Sequence, residues 1–399
     1  MNPVYILESV RTPRAKAKES GGLHELSCYK VLDSLYRYYL DNEILDPETL
    51  NEVVLGCVTQ HGEQAGNIAK SSAMYSGYPD HISGLTVNRF CSSSLDAINI
   101  GFLKILSGQS SLIMAGGVEM MSRVPMLSDK AAIWSDINIA LKAKIFMMGS
   151  GADLIASVHG INRLEADTQA LKSQQKAYNA QNKGFFKSIV PVTNQVKGTI
   201  CSIDECVRPD TTIESLESLN PSFKELGEGG VDKIQLEYFP ELDKITHIHT
   251  AGNSPAMSDA ASITLLSKSK NSASSKYKAR AKIKAVAVVN DNPLFVLSGC
   301  VEATKQLLKN QNLQVKDIDM FEIHEAFAST IIYAQRELEI HDDKLNVNGG
   351  CIALGHPMGA TGSIMLSSLL DEMERRDLSL GVVSTSGAAG AGTALLIER

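Results

Sequence analysis

Short apolar runs alternate with helix-spaced segments in two separate series along this chain. That alternation constrains the fold more than any other feature. In the first series Val4, Ile6 and Leu7 form a strand pattern, and Leu26, Tyr29, Leu32, Leu35, Tyr36, Tyr39 and Leu40 then recur on one helical face. Asp46-Pro47-Glu48 starts a short helix, since Asp caps well and Pro suits a first turn. Val53, Val54 and Leu55 read as a buried strand closed by Gly56. Residues 67–75 read as a helix, and residues 111–115 as a further buried strand that ends in Gly116-Gly117. Strands alternating with helices predict an α/β layer structure.

The second series begins after Gly252. Residues 257–267 are small and predict a helix; 281–289 predict a strand, 298–309 a helix, 318–323 a strand and 363–375 a helix. Residues 380–384 and 393–397 frame a Gly/Ala turn as a hairpin. The order of elements resembles that of the first series, so the chain reads as an internal pseudo-repeat. A Ser- and Lys-rich link at 268–278 marks the boundary between halves. Between the two series lies a loop-rich segment with a polar helix at 165–182 and frequent Pro, Gly and charge from 208 to 243. Such a segment can cover a site. Its methionines (Met120, Met121, Met126, Met147, Met148) read mainly as core filler. The organisation expected is 1–118 for the first part of an N-terminal half, 119–249 for an inserted loop domain, 250–270 for the end of that half, and 271–399 for a C-terminal half.

Charge and cysteine usage narrow the function classes. The net charge is −7, so no basic face for nucleic acid is expected. The seven cysteines are odd in number and without CxxC spacing; Cys201 and Cys206 lack His partners at metal-ligand spacing. Reduced thiols, no metal and a cytoplasmic location are the expectation. No secretory signal opens the chain, and no apolar run reaches membrane-spanning length.

The chemistry starts at residues 87–95, VNRFCSSSL. An extended run leads into Cys91, and Leu95, Ile98, Phe102, Ile105 and Leu106 follow at helical spacing. Cys91 is thus expected on a strand-to-helix turn, where unpaired N–H groups and the helix dipole lower a thiol's pKa. A cysteine taken alone reads first as a small buried hydrophobe. Three stretches answer it. The loop NVNGGCIALGHPMGATGS holds His356 among glycines and alanines, a rigid mount for an imidazole base; Cys351 beside it reads as a packing residue. FEIHEAFAS runs a strand into His324 and Glu325, at the end of the sheet where ligands tend to bind. GVVSTSGAAGAG makes a tight turn after Ser386 whose N–H groups can form an oxyanion hole.

These motifs, with AGGVEMMS, TAGNSPAMSDAA and the terminal SGAAGAGTALLIER, occur in the order and spacing of a thiolase, an acetyl-CoA acyltransferase, and the resemblance covers essentially the whole chain. HEAFA is similar to the form found in thiolases of fatty-acid β-oxidation. The resemblance implies an α/β fold of five layers, αβαβα, built from two similar halves with an inserted loop domain. It implies that Cys91 carries the acyl group, that His356 activates it, and that His324 holds a water in an oxyanion hole. A second hole would come from the backbone N–H groups of Cys91 and Ala388. Coenzyme A and acyl-CoA would be substrates rather than cofactors, and CoA would touch Met148, Arg208, Ser215, Phe223, Ala251 and Ser254, with Phe327 lining the pantetheine or acyl path. The oligomer implied is a homodimer or homotetramer.

The departures from the family pattern are specific. Where the family carries a second, proton-handling cysteine, this chain has Ser386. A hydroxyl is a far weaker acid than a thiol of pKa about 8.5, so carbon–carbon chemistry is expected to slow by about 10²–10⁴-fold if nothing substitutes. Pro255, Ser94 and the stretch at 147–153 also differ from the usual pattern. Thiolase-type acyl transfer through Cys91 is therefore the leading expectation. The alternatives are a thiolase-fold thioesterase or variant condensing enzyme, and a non-catalytic acyl-CoA-binding subunit.

Overall fold

The structure, a computed structural model, describes residues 3–271 and 277–399; the centre of the 268–278 link lies outside the described residues. The first series folds as β1 (Val4–Arg11), α1 (Cys28–Asp41), β2 (Glu52–Gly56), α2 (Ile68–Tyr75), β3 (Ser83–Val87), α3 (Ser93–Leu106) and β4 (Leu112–Met120). The middle segment contributes α4 (Met148–Val158), α5 (Arg163–Asn182), α6 (Asp232–Tyr238), shorter helical turns and a two-stranded ribbon. The chain then returns to the sheet as β5 (Ser258–Ser267). The second series is β6 (Ala281–Asn290), α7 (Gly299–Gln311), β7 (Met320–Ile323), α8 (Ala328–Leu338), α9 (Thr361–Arg376), β8 (Leu380–Ser386) and β9 (Ala391–Glu398).

Sheet order establishes the pseudo-repeat that the element order predicts. In the first half the strands lie β3-β2-β4-β5-β1, and in the second β7-β8-β9-β6. Leu345 pairs in parallel with Phe321 of β7, so it stands where β3 stands beside β2. Both halves run parallel, parallel, antiparallel, antiparallel across this order. Val4 to Ile6 of β1 pair with Ala281 to Ile283 of β6 and join the two halves into one sheet.

Three apolar clusters give the five layers. Helices α1 and α2 pack on the outer face of the first half-sheet, α7 and α8 on the outer face of the second. Helices α3 and α9 lie between the half-sheets: Leu95, Ile98 and Phe102 meet Met365, Leu366 and Leu369, with Ile113 and Leu266 on one side and Val383 and Leu395 on the other. A hydrogen bond from the Ser363 N–H to the Ser94 hydroxyl, at 3.0 Å, fixes the two central helices together at their N-terminal ends.

Residues 257–267 are a strand, not the expected helix. All ten residues of β5 are buried, between β1 and β4. Their small side chains reflect close packing from both faces rather than helix propensity: Ser262 meets Ser363 of α9, and Thr264 bonds Ser9 at 2.8 Å. Asp46 caps the 3-10 turn Pro47–Thr49 as expected.

In the middle segment Asp153 of α4 is a hub. It accepts from the Ile248 and His249 N–H groups and from Nδ1 of His249, at 3.1, 3.2 and 2.6 Å. His247 bridges Asp153 and Asp232 of α6, at 2.9 and 3.0 Å. Both ring nitrogens face carboxylates, which accept only, so the ring here is an imidazolium. Burial by itself lowers the His247 pKa, but the hydrogen bonds to Asp153 and Asp232 outweigh it and the pKa is raised. His247→Ala is expected to cost about 2 kcal/mol of stability at acidic pH. A raised folded pKa gives stabilisation that is complete below the unfolded value of about 6.5 and is lost as pH rises through the folded value. Urea unfolding of both proteins at several pH values should therefore show their stabilities converging toward alkaline pH.

Candidate active site

The pseudo-repeat explains how the site assembles. Cys91 lies between β3 and α3, and His356 between the Leu345 bridge and α9, which is the corresponding connection of the other half. Because α3 and α9 pack side by side, the two connections meet. The Sγ of Cys91 and Nε2 of His356, 265 positions apart in sequence, are 3.2 Å apart.

The cysteine turn is strained. Phe90, directly before Cys91, has φ +49°, a left-handed conformation costly for a bulky side chain. The Phe90 N–H donates to Asn88 Oδ1 at 2.8 Å, and the Ser92 and Ser93 N–H groups close back onto the Arg89 and Phe90 carbonyls. Cys91 is only 9% exposed, through the floor of a cavity. Its thiol is pushed up to about 12, first by burial and then by the charges of Glu119 and Cys351. This corrects the expectation of a thiol activated by a helix start: α3 begins two residues later, and desolvation outweighs the backbone.

His356 is mounted by Gly355, whose φ of +98° and close approach to Ser258 admit only glycine. The His356 N–H donates to the Ala256 carbonyl at 2.8 Å. Burial, then the nearby His324 and Arg14, hold the imidazole well below its usual pKa. The resting pair is thus a neutral thiol donating to a neutral Nε2. Nδ1 must then carry the proton and donate it to the Thr361 hydroxyl at 2.8 Å. Thr361→Val, which removes that acceptor but keeps the shape, is expected to cost about 10²-fold in acyl transfer by letting the ring shift tautomer and position. Thr361→Ser should restore the rate, and KM for CoA should stay constant; steady-state kinetics on the two variants check this.

His324 completes the group. Its ring centroid is 4.5 Å from that of His356. Nδ1 donates to the Ser386 carbonyl at 3.2 Å, and burial lowers the pKa to about 4. Nε2 therefore bears a lone pair, and it is buried with no partner among the described residues. It can accept from a water or a substrate donor. Glu325 follows this histidine in the chain. It is buried and accepts from Ser173 of α5 at 2.7 Å and from the Ile352 N–H at 3.2 Å, fixing the turn beneath the His356 loop.

The Ser386 hydroxyl is fully buried, accepts the Cys300 N–H at 2.9 Å, and is not on the cavity wall. Ala388 is buried beside Phe327 and Leu297, at the start of the turn Ala388–Gly390.

The cavity is about 200 Å³ and almost wholly apolar. Of the residues expected along CoA, Met148, Phe223, Ser254 and Phe327 line it together with Cys91, His324 and His356. The other three lie outside it, around the Ala251–Gly252 turn. Arg208 donates to the Gly252 carbonyl at 3.1 Å, Ser215 sits in the capping box of the helix Ile213–Glu217, and Ala251 is exposed. Met120 is core, as expected, but Met121, Met126, Met147 and Met148 face the cavity, joined by Met257 and Met358. The departure Pro255 also lies on its wall.

Two residues of the site were not singled out from the sequence. Glu119 accepts the Val58, Thr59 and Gly359 N–H groups and the Gln64 amide, at 2.9 to 3.1 Å, and so ties the His356 loop to the first half-sheet. Arg14 is buried, donates to the Gly355 carbonyl at 3.1 Å and helps hold both histidines neutral. Glu119 lies within AGGVEMMS, but nothing in that stretch announces its contacts, and Arg14 has no motif around it; each role is recognisable only by what the side chain touches.

Known proteins resemble this chain throughout its length. The thiolase N-terminal domain family matches residues 4–232, and the thiolase C-terminal domain family matches residues 277–399. A 3-ketoacyl-CoA thiolase of Colwellia psychrerythraea is 35% identical over 410 residues, covering 100% of both chains. A beta-ketoadipyl-CoA thiolase of Pseudomonas knackmussii is 35% identical over 422 residues, covering 99% of each. The crystal structure of the Bacillus anthracis acetyl-CoA acetyltransferase superposes with a TM-score of 0.84 at 30% identity, covering 100% of this chain and 99% of that one.

Proposed function

The chain belongs to the thiolase family, and from that premise we propose how its residues divide the work of a thiolase-type acyltransferase. The observation that carries the reading is the 3.2 Å contact between Cys91 and His356 on the floor of an apolar cavity. His356 Nε2 takes the thiol proton as Cys91 Sγ attacks the carbonyl carbon of the substrate. The neutral resting pair favours proton transfer together with attack over a standing thiolate. The new N–H of His356 then faces the developing oxyanion. His324, through its free Nε2, holds a water whose other hydrogen completes that site, and the Cys91 and Ala388 N–H groups serve a second oxyanion. Collapse of the intermediate breaks the carbonyl–sulfur bond of an acyl-CoA, or the carbon–carbon bond of a 3-ketoacyl-CoA, and the departing CoA thiolate or acetyl-CoA carbanion takes up the proton that His356 had received. An acyl thioester on Cys91 and a neutral His356 result. His356 next deprotonates the CoA thiol, which takes the acyl group away.

Coenzyme A and acyl-CoA are the substrates in this reading, and no further cofactor is required. Met148, Phe223, Ser254 and Phe327 would enclose the pantetheine arm, and Arg208, Ser215 and Ala251 would meet the nucleotide end outside the cavity. The 119–249 segment acts as the cover. The names of the relatives favour 3-ketoacyl-CoA breakdown as the physiological direction, in fatty-acid β-oxidation. No helix of the described residues is long and apolar enough to cross a membrane; a homodimer or homotetramer in the cytoplasm fits this reading.

The test is an acyl adduct. Incubation with acetyl-CoA or a 3-ketoacyl-CoA should add one acyl mass to the intact protein, mapped to Cys91, and labelled CoA should exchange into acyl-CoA. No adduct at any chain length overturns the reading. A second reading rests on Ser386, whose hydroxyl is engaged by the Cys300 N–H and lies off the cavity wall. In that reading acyl transfer is fast and carbon–carbon cleavage or condensation slow.

A further inference from the structure

Cys351 has no part in the chemistry above, yet it stands against both histidines. One donor atom from each of His324, Cys351 and His356 lies within 4.8 Å of the others. The hydrogen bonding prepares these side chains as ligands. A metal-binding histidine characteristically donates its second ring N–H to a carbonyl or other acceptor, which fixes the tautomer and aims the lone pair. His324 does this through Nδ1 to the Ser386 carbonyl, and His356 through Nδ1 to the Thr361 hydroxyl. The Nε2 lone pair of His324 is buried and has no partner among the described residues. The Cys91 thiol is 3.2 Å from Nε2 of His356, so a second sulfur is within reach.

We propose that this cluster binds a zinc-class divalent cation through His324, His356, Cys351 and Cys91, reversibly masking the nucleophile. Two imidazoles and two thiolates are a tetrahedral zinc set, with Zn–N of about 2.0–2.1 Å and Zn–S of about 2.3 Å. Ligands on such a centre stand about 3.5 Å apart, so the donors of His324, Cys351 and His356, now within 4.8 Å of each other, close by roughly an ångström through side-chain rotation, and the Cys91 Sγ joins them from its place 3.2 Å from His356 Nε2. Nitrogen and sulfur donors exclude Mg²⁺ and Ca²⁺, which require oxygen. Each thiol releases its proton as the metal–sulfur bond forms. Two protons leave per ion, and the two thiolates balance the dication beside the buried Arg14.

The probes are Cd²⁺ and Zn²⁺ alone, added to the full-length protein in thiol-free buffer. One equivalent of Cd²⁺ should produce a thiolate-to-metal charge-transfer band, a readout independent of turnover. Zn²⁺ should block acyl labelling of Cys91, with EDTA restoring it, and bind more tightly as pH rises. Cys351→Ala should weaken metal binding by at least about 10-fold while acyl transfer without metal stays at the wild-type level; Cys351→Ser preserves the volume if the alanine variant folds poorly. A Cd²⁺ band and zinc affinity unchanged in both variants would place the metal elsewhere. Absence of a band at stoichiometric Cd²⁺, or full acyl labelling with zinc bound, would equally overturn the proposal.

Discussion

Cys91→Ser should leave no acyl adduct by intact mass and should lower acyl transfer by on the order of 10⁴–10⁶-fold, the scale on which nucleophile removal acts. The geometry gives the reason. The thiol donates to His356 Nε2 at 3.2 Å from a buried position. A serine hydroxyl there faces the same weakly basic imidazole with a proton held far more tightly, so attack does not keep pace. The rest of the cavity wall is untouched, and calorimetric binding of CoA should remain. The same site predicts an unusual pH response. Burial pushes the Cys91 thiol up to about 12, so alkylation by iodoacetamide should keep rising from about pH 7 to 10 without a plateau. A plateau below pH 8 would mean that Cys91 rests as a thiolate ion-paired with His356.

The second large effect runs in the opposite direction. Ser386→Cys should raise 3-ketoacyl-CoA thiolysis by about 10²–10⁴-fold, the usual worth of a general acid or base, while exchange of labelled CoA into acyl-CoA stays constant. Exchange runs through Cys91, His356 and the oxyanion donors and uses no proton-handling group at position 386. Cleavage also leaves a carbanion on the departing acetyl-CoA, and a thiol of pKa about 8.5 protonates it far better than a hydroxyl. The substitution also loosens an anchor. The Ser386 oxygen accepts the Cys300 N–H at 2.9 Å, and sulfur is a weaker acceptor, so the new side chain is freer to turn toward the substrate. Measuring both rates on both proteins separates the steps. A thiolysis rate that does not move would show that Ser386 is not the limiting departure.

Much of the fold was legible because local physics wrote it. Period-two and period-3.6 patterns mark β2, β4, α1, α3 and α7 closely enough to yield an α/β chain with a repeated order. Residues 257–267 failed because Ser and Ala are small for a tertiary reason. A central strand covered on both faces must admit α9, and composition alone cannot separate that from a small-residue helix. The cavity methionines failed similarly: a thioether suits a core and a binding wall equally.

By itself the sequence determined the residue types and the loops that hold them: a cysteine between a strand and a helix, a histidine in a glycine-dense loop, a histidine at a strand end. Only the tertiary structure decided their electrostatics and partners. Packing α3 against α9 brings equivalent connections of the two halves together, and that pairing depends on contacts between residues hundreds of positions apart. Burial then reversed the expected shift of the Cys91 thiol, because desolvation depends on everything around a group and not on its neighbours in the chain. The same packing set Cys351 against two histidines whose lone pairs the surrounding hydrogen bonds had already aimed.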